Sequence, residues 1–191
     1  MPTIGSLSWQ PATTHPQLLA PTVARAIAEL GLSDVYVAPI DASLADTAAF
    51  CAAYEVPLGV SANCVVVSGR RGEQTQTAAC LVLATDRADV NTTVRRHLDV
   101  RKISFAPMAD AVEQSGMEYG GITPLGLPAA WPVLVDTAVS QRRWVVIGSG
   151  IRGSKVAVPG AVVAQLPGAT VLDLARSRPA ASSTVSSGAP G

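Results

Sequence analysis

The chain has 191 residues, 48% of them hydrophobic and 15% charged, with a mean hydropathy of +0.32 and a formal net charge of zero. That length supports one domain whose core buries roughly 70% of the unfolded surface, and the composition excludes disorder along the whole chain and a general nucleic-acid coat. The longest apolar runs, such as residues 78–84, fall well short of the roughly 20 residues of a membrane span, and no basic-plus-apolar leader opens the chain, so the expected compartment is the cytoplasm.

Residues 1–16 carry Pro2, Pro11 and Pro16 among serines and threonines and read as an irregular lead-in. From 16 to 30, Leu18, Leu19, Val23, Ala26, Ile27 and Leu30 recur at helical spacing, and Gly31 stops the helix. Residues 35–40 are strand-like; Asp41 or Ser43 can cap a second helix running to Tyr54. Residues 63–67 and 77–84 are β-rich and flank the glycine-containing stretch 68–72, which predicts a hairpin. Asp86 or Asp89 starts a helix ending near Leu98, and residues 107–115 form another, closed by Gly116. A loop rich in glycine follows at 116–126, then strands at 133–136, 144–147 and 154–158, a short helix at 161–165 and a strand at 170–173. Residues 176–191 are mostly Ala, Ser, Pro and Gly and read as a disordered low-complexity tail, leaving 17–175 as one domain. Hairpins mixed with isolated helices predict an α+β fold with a mixed, mainly antiparallel sheet or partial barrel flanked by helices.

Charge is unevenly placed. Residues 1–136 hold eight basic and thirteen acidic groups; residues 137–191 hold six basic and one acidic. Arg142, Arg143, Arg152 and Lys155 make most of that excess and read either as a solvated face or as a local phosphate-binding edge. Cys51, Cys64 and Cys80 are isolated among apolar neighbours, which predicts buried hydrophobes rather than a disulfide framework or a zinc site. With only His15 and His97, far apart, a Ser-His-Asp or Cys-His arrangement is not expected. No metal and no cofactor are expected.

Gly148-Ser-Gly-Ile-Arg-Gly153 is a literal G-x-G-x-x-G after a strand, with Asp173 twenty residues beyond. The helix that a dinucleotide site requires there would contain Val156, Val158, Pro159 and Gly160, which break it in its second turn. A glycine-rich turn between antiparallel strands is the better reading, and an oxidoreductase is set aside.

The segment Gly116-Met-Glu-Tyr-Gly-Gly-Ile-Thr-Pro-Leu-Gly126 resembles the glycine loop of the YbaK family, bacterial aminoacyl-tRNA deacylases related to the editing insertion of prolyl-tRNA synthetase. The family's G-x-x-x-P falls on Gly120 and Pro124. Segments 46–56, 61–67, 79–84, 135–136 and 145–153 resemble further family segments in order, so the likeness covers 17–175. Asn63 stands where the family usually carries a lysine, and Ser149 where many members place glycine or another small residue.

The resemblance implies a trans-editing hydrolase that removes a small amino acid from the 3′ end of misacylated tRNA. A synthetase pocket discriminates one methylene by only about 1–3 kcal/mol, so such a second sieve has a use. The ester is reactive enough to need no dedicated nucleophile, only positioning, a water and oxyanion donors. The expected catalytic residues are Gly120 and Gly121, through their backbone groups, and Asp136, either as an orienting carboxylate or as a hydrogen-bonded strand end. Asn63, Pro124, Ser149, Gly150 and Arg152 are the expected substrate contacts. The partners implied are the acceptor end of aminoacyl-tRNA and a synthetase, with neither membrane nor DNA. Asn63 keeps a second reading open: a catalytically silent relative binding aminoacyl-tRNA, a synthetase or a small ligand.

Overall fold

A computed structural model describes residues 1–177 of the chain. In order it runs β1 (Gln10–Pro11), two 3-10 turns, α1 (Pro21–Glu29), β2 (Tyr36–Pro39), a 3-10 turn at Ala42–Leu44, α2 (Thr47–Ala53) and a 3-10 turn at Leu58–Val60. Then come β3 (Ala62–Arg71), β4 (Gln74–Leu83), β5 (Asp86–Ala88), a π turn at Val90–Val94, α3 (Arg95–His97), β6 (Lys102–Phe105) and α4 (Met108–Ser115). The chain continues through β7 (Val133–Asp136), α5 (Thr137–Ser140), β8 (Val145–Gly148), β9 (Ser154–Val158), α6 (Gly160–Val163), β10 (Ala169–Leu172) and β11 (Ala175–Ser177).

The expected α+β class holds. One sheet is ordered β1-β2-β9-β8 with antiparallel neighbours. The other is ordered β10-β7-β4-β3-β6, parallel from β10 to β4 and antiparallel beyond. A small β11–β5 pair stands apart, and a parallel bridge between Ser61 and Val146 joins the two larger sheets without closing either into a barrel.

Strand alternation explains the core. Leu81 and Leu83, Val133 and Val135, Val145 and Ile147, and Val156 and Val158 face the shared interior with Val23 and Ile27 of α1. Their neighbours Cys80, Val82 and Leu134 pack instead on Val90, Val94 and Leu174, while Val146 and Ala157 pack on Trp9 and Phe50. Both faces of the central strands are therefore buried, which is why these segments read as continuous apolar runs.

Several elements differ from the sequence reading for local reasons. Leu19 and Ala20 stay extended before Pro21, which sits in the first turn of α1, so that helix begins late. The second helix divides, Asp41 capping the 3-10 turn and Asp46 capping α2 through Ala48 and Ala49 N–H. The hairpin turn is Gly72-Glu73, because the register Arg71↔Gln74 extends both strands past residue 68. Asp86 lies in β5, and Asp89 accepts from Thr93 N–H at the π turn. The lead-in contributes to the core: Ile4, Trp9 and Ala12 are buried, and the Trp9 indole donates to Ile4 C=O at 3.1 Å. Of the expected tail, Arg176 and Ser177 belong to β11, whereas 178–191 lie outside the described residues.

Candidate active site

β6 pairs only with Val67–Arg70 of β3, and Ala106 N–H donates to Val66 C=O just beyond. Strand alternation puts the backbone groups of Cys64 on the same edge, where β6 no longer covers it. A cavity of about 610 Å³ opens there, within the range of small-molecule sites. Asn63 and Cys64 line one side, Asp46 and Thr47 the start of α2, and Gly120, Ile122, Gly148 and Lys155 the other side, with Phe105 and Tyr119 also in the wall.

The glycine loop is fastened to the β8–β9 turn. Glu118 N–H donates to Gly150 C=O, and Gly150 N–H donates to Gly121 C=O, both at 2.8 Å. Arg152 N–H donates to the Glu118 carboxylate, and its guanidinium donates to Tyr119 C=O at 3.2 Å and Ala42 C=O at 3.0 Å. Gly148 and Gly121 meet backbone to backbone: a Cβ on Gly148 would lie 2.3 Å from Gly121 oxygen, and one on Gly121 would lie 2.8 Å from Ile151 backbone. Only glycines permit this approach. Gly121 N–H is taken by Glu118 C=O at 2.9 Å. Among the described residues Gly120 N–H takes no protein acceptor, and Gly120 holds φ +83 on the cavity wall. Of the two expected donors, Gly120 is therefore the free one.

Lys155 changes the reading most. It is only 7% exposed, donates to Ala45 C=O at 3.0 Å, and its amine stands 5.1 Å from the Phe50 ring centroid. Burial depresses its pKa below 10.5. No carboxylate pairs with it among the described residues, so an ammonium with spare donors borders the cavity from β9. Asn63, opposite, accepts from the Thr47 hydroxyl at 2.5 Å. The cavity thus has a lysine, but from a strand other than the one carrying Asn63. Its place beside the apolar run of β9 is the available signal, whereas charge counted along the chain points to a surface strip.

That strip does not exist as one patch. Arg142 and Arg143 precede β8, whereas Arg152 and Lys155 lie at its far end, where Gly148 pairs with Lys155; the separation is on the order of 15 Å along the strand. Of the eight expected site residues only Asn63 and Gly120 line the cavity; Gly121, Arg152 and four others do not. Asp136 has the second of its two geometries: only 4% exposed, it caps α5 through Ala138 N–H and accepts Leu174 and Ala175 N–H at 3.0 and 2.9 Å. Ser149 is buried inside the turn, sharing a 2.7 Å hydrogen bond with Ser154. Gly150 packs on Ala20 and Val23, and Pro124 borders a different hollow beside Thr22 and Leu166. Arg152 reaches over Gly120, to which a Cβ there would approach its guanidinium at 2.9 Å.

The cavity contains no histidine, and Asp46 is the carboxylate of its lining. Burial pushes the Cys64 thiol above its usual range, and the Cys80 thiol behind it up to about 12, so neither supplies a thiolate. Among the described residues no group of His, Cys, Asp or Glu is arranged to hold a metal, and no helix is long and apolar enough to cross a membrane. The Gly148–Gly153 segment is a turn between antiparallel β8 and β9, opening no helix, as the sequence predicted.

Residues 41–166 match the family described as the aminoacyl-tRNA editing domain. A crystal structure described as "a putative trans-editing enzyme for prolyl tRNA synthetase" is similar at 22% identity and a TM-score of 0.70, covering 83% of this chain and 99% of that one. The crystal structure of a hypothetical protein is similar at 19% identity and a TM-score of 0.72, covering 81% and 99%. At such identities the likeness is one of fold. No curated protein matches the sequence.

Proposed function

This chain belongs to the YbaK-type aminoacyl-tRNA editing domain family, and we propose that it is a trans-editing hydrolase releasing a small amino acid from the 3′ end of misacylated tRNA. The observation that carries this reading is that an unoccupied backbone donor, Gly120 N–H, and the Lys155 ammonium border one cavity whose lining holds no histidine. Water attacks the ester carbonyl, the carbon–oxygen bond to the ribose breaks, and the proton lost by water ends on the departing ribose oxygen. The products are a free amino acid and an uncharged tRNA end. Gly120 N–H meets the developing oxyanion, where one well-aimed donor lowers a barrier by roughly 3 kcal/mol. Lys155 adds positive charge on the same wall, and the Asp46 carboxylate faces the substrate's α-ammonium. Asn63 holds a ribose hydroxyl while its own oxygen is kept by Thr47. No cofactor enters the reaction. A cytoplasmic location and a synthetase partner rest on the resemblance.

Asn63 in place of the family lysine supports a second reading, a silent relative that binds aminoacyl-tRNA without hydrolysing it. Release of labelled amino acid from alanyl-, cysteinyl- and seryl-tRNA by the purified protein separates them. Release above the spontaneous rate supports the hydrolase; binding with no release supports the silent relative.

A further inference from the structure

Half of the fourteen basic residues lie between positions 70 and 102, in a part of the chain that the overall charge count makes look acidic. The fold gathers four of these seven at one end of the β3–β6 pair. A hollow of about 600 Å³ there is lined by Arg70, Arg95, Arg101 and Lys102, together with Ser68, Thr75, Asn91 and Ser104, and by no carboxylate. Arg95, Arg101 and Lys102 are exposed and, among the described residues, enter no ion pair. Among the described residues Arg70 forms an ion pair with the exposed Glu73, at 3.6 Å, and its Nε donates to Gly72 C=O at 2.8 Å. The nearby Asp99 and Asp89 are already held, by Arg71 and Arg176.

The hollow and the candidate active site share no lining residue, but both adjoin strand β6. A second hollow shares Asn91, Ile103 and Ser104 with the first, and shares Phe105 with the cavity. Edge strand β6 thus runs beside all three hollows, with Lys102 at the basic end and Phe105 at the cavity, about 10 Å apart at strand rise and on alternate faces of the strand. Phe105 is 68% exposed, an unusual position for a large apolar ring and a suitable one for stacking a nucleobase.

We propose that this Arg70–Arg95–Arg101–Lys102 groove binds the phosphodiester backbone of the tRNA acceptor end, with Phe105 stacking a base and delivering the aminoacyl ester to the cavity. Clustered cations lacking carboxylate partners are neutralised by phosphates, and each phosphate engaged releases counterions. The inference rests on the hydrolase reading for its substrate, but the groove is tested by binding alone.

The experiment measures binding of uncharged tRNA by fluorescence anisotropy at two salt concentrations, using the full chain, the Arg95→Glu/Arg101→Glu variant and, as control, Arg142→Glu/Arg143→Glu. All substituted side chains are exposed, and thermal melts verify folding. The groove variant is expected to bind at least tenfold more weakly with a shallower salt dependence, and the control to bind as wild type. Phe105→Ala is expected to weaken binding without changing the salt slope. Hydrolysis of an alanyl ester of adenosine, too short to reach the groove, is expected to be the same in groove variant and wild type. Wild-type affinity and slope in the groove variant overturn the proposal, as does loss of binding in the control alone. Displacement of tRNA by equimolar pyrophosphate also overturns it, by marking a small-polyphosphate site. Groove-dependent binding with no hydrolysis of any ester leaves the groove standing and defeats the hydrolase reading.

Discussion

Asn63 and Lys155 border one cavity from different sheets, Asn63 on β3 and Lys155 on β9 opposite Gly148. The lysine is nearly enclosed and has one hydrogen bond, to Ala45 C=O. A buried ammonium with no ion-pair partner among the described residues, Asp46 being the one carboxylate whose charge acts on it, is costly to the fold, and the proposed hydrolysis gives it a use.

The cost has a pH signature. Folding depresses the Lys155 pKa below 10.5, so between the depressed value and 10.5 the unfolded chain binds more protons and stability rises with pH. Urea unfolding at neutral pH and just below 10.5 should show that rise in wild type and a smaller one in Lys155→Met. At neutral pH the Met variant should be at least as stable as wild type, while its KM for aminoacyl-tRNA rises roughly tenfold, a loss of about 1.4 kcal/mol of binding.

The two loop glycines should separate. Gly120→Ala brings a methyl to within 2.9 Å of the movable Arg152 guanidinium, at φ +83; it should remain folded and lose tenfold or more in deacylation rate, about 1.4 kcal/mol in barrier. Gly121→Ala meets Ile151 backbone at 2.8 Å, which cannot move aside without freeing the turn. Its main effect should be on stability, seen as a lower Tm and increased proteolysis between 116 and 126.

Asp136 should behave as scaffold. Asp136→Ala leaves three backbone N–H groups without their acceptor and should cost about 3 kcal/mol in denaturant unfolding, with kcat unchanged in the folded fraction. A large fall in kcat at full stability would return it to the reacting groups.

Much of this architecture was legible in the sequence. Val133–Asp136 and Ser154–Val158 fall where their apolar runs end, and Gly116 closes α4 in the left-handed conformation. Ordered segments around Gly120 and Pro124 carried the family. What was hidden lies in pairing between distant segments. Trp9 is surrounded by proline and polar residues, and only its packing beneath Val146 and Ala157 makes the lead-in part of the core. Ser149 and Gly150 are packed inside the turn and Pro124 borders another hollow, and a motif does not distinguish a residue touching a ligand from one supporting its neighbour. Charge counted along the chain pointed to 137–191, whereas the sheet splits Arg142 and Arg143 from Lys155 and gathers Arg95, Arg101 and Lys102 elsewhere.

The lead-in itself is testable. Trp9→Ala removes a buried indole and its hydrogen bond to Ile4, and should destabilise by about 3–5 kcal/mol in denaturant unfolding. A change below about 0.5 kcal/mol, the level of an ordinary surface substitution, would show that residues 1–16 do not belong to the folding unit.

The most direct test of the central claim is single-turnover release of labelled amino acid from alanyl-, cysteinyl- and seryl-tRNA by wild type, Gly120→Ala and Asn63→Lys. Hydrolase activity means release by wild type above the spontaneous rate for at least one of these esters, and a tenfold or greater fall in Gly120→Ala. Wild-type protein that binds the tRNAs yet releases nothing, while Asn63→Lys does release, would contradict it and establish a silenced relative.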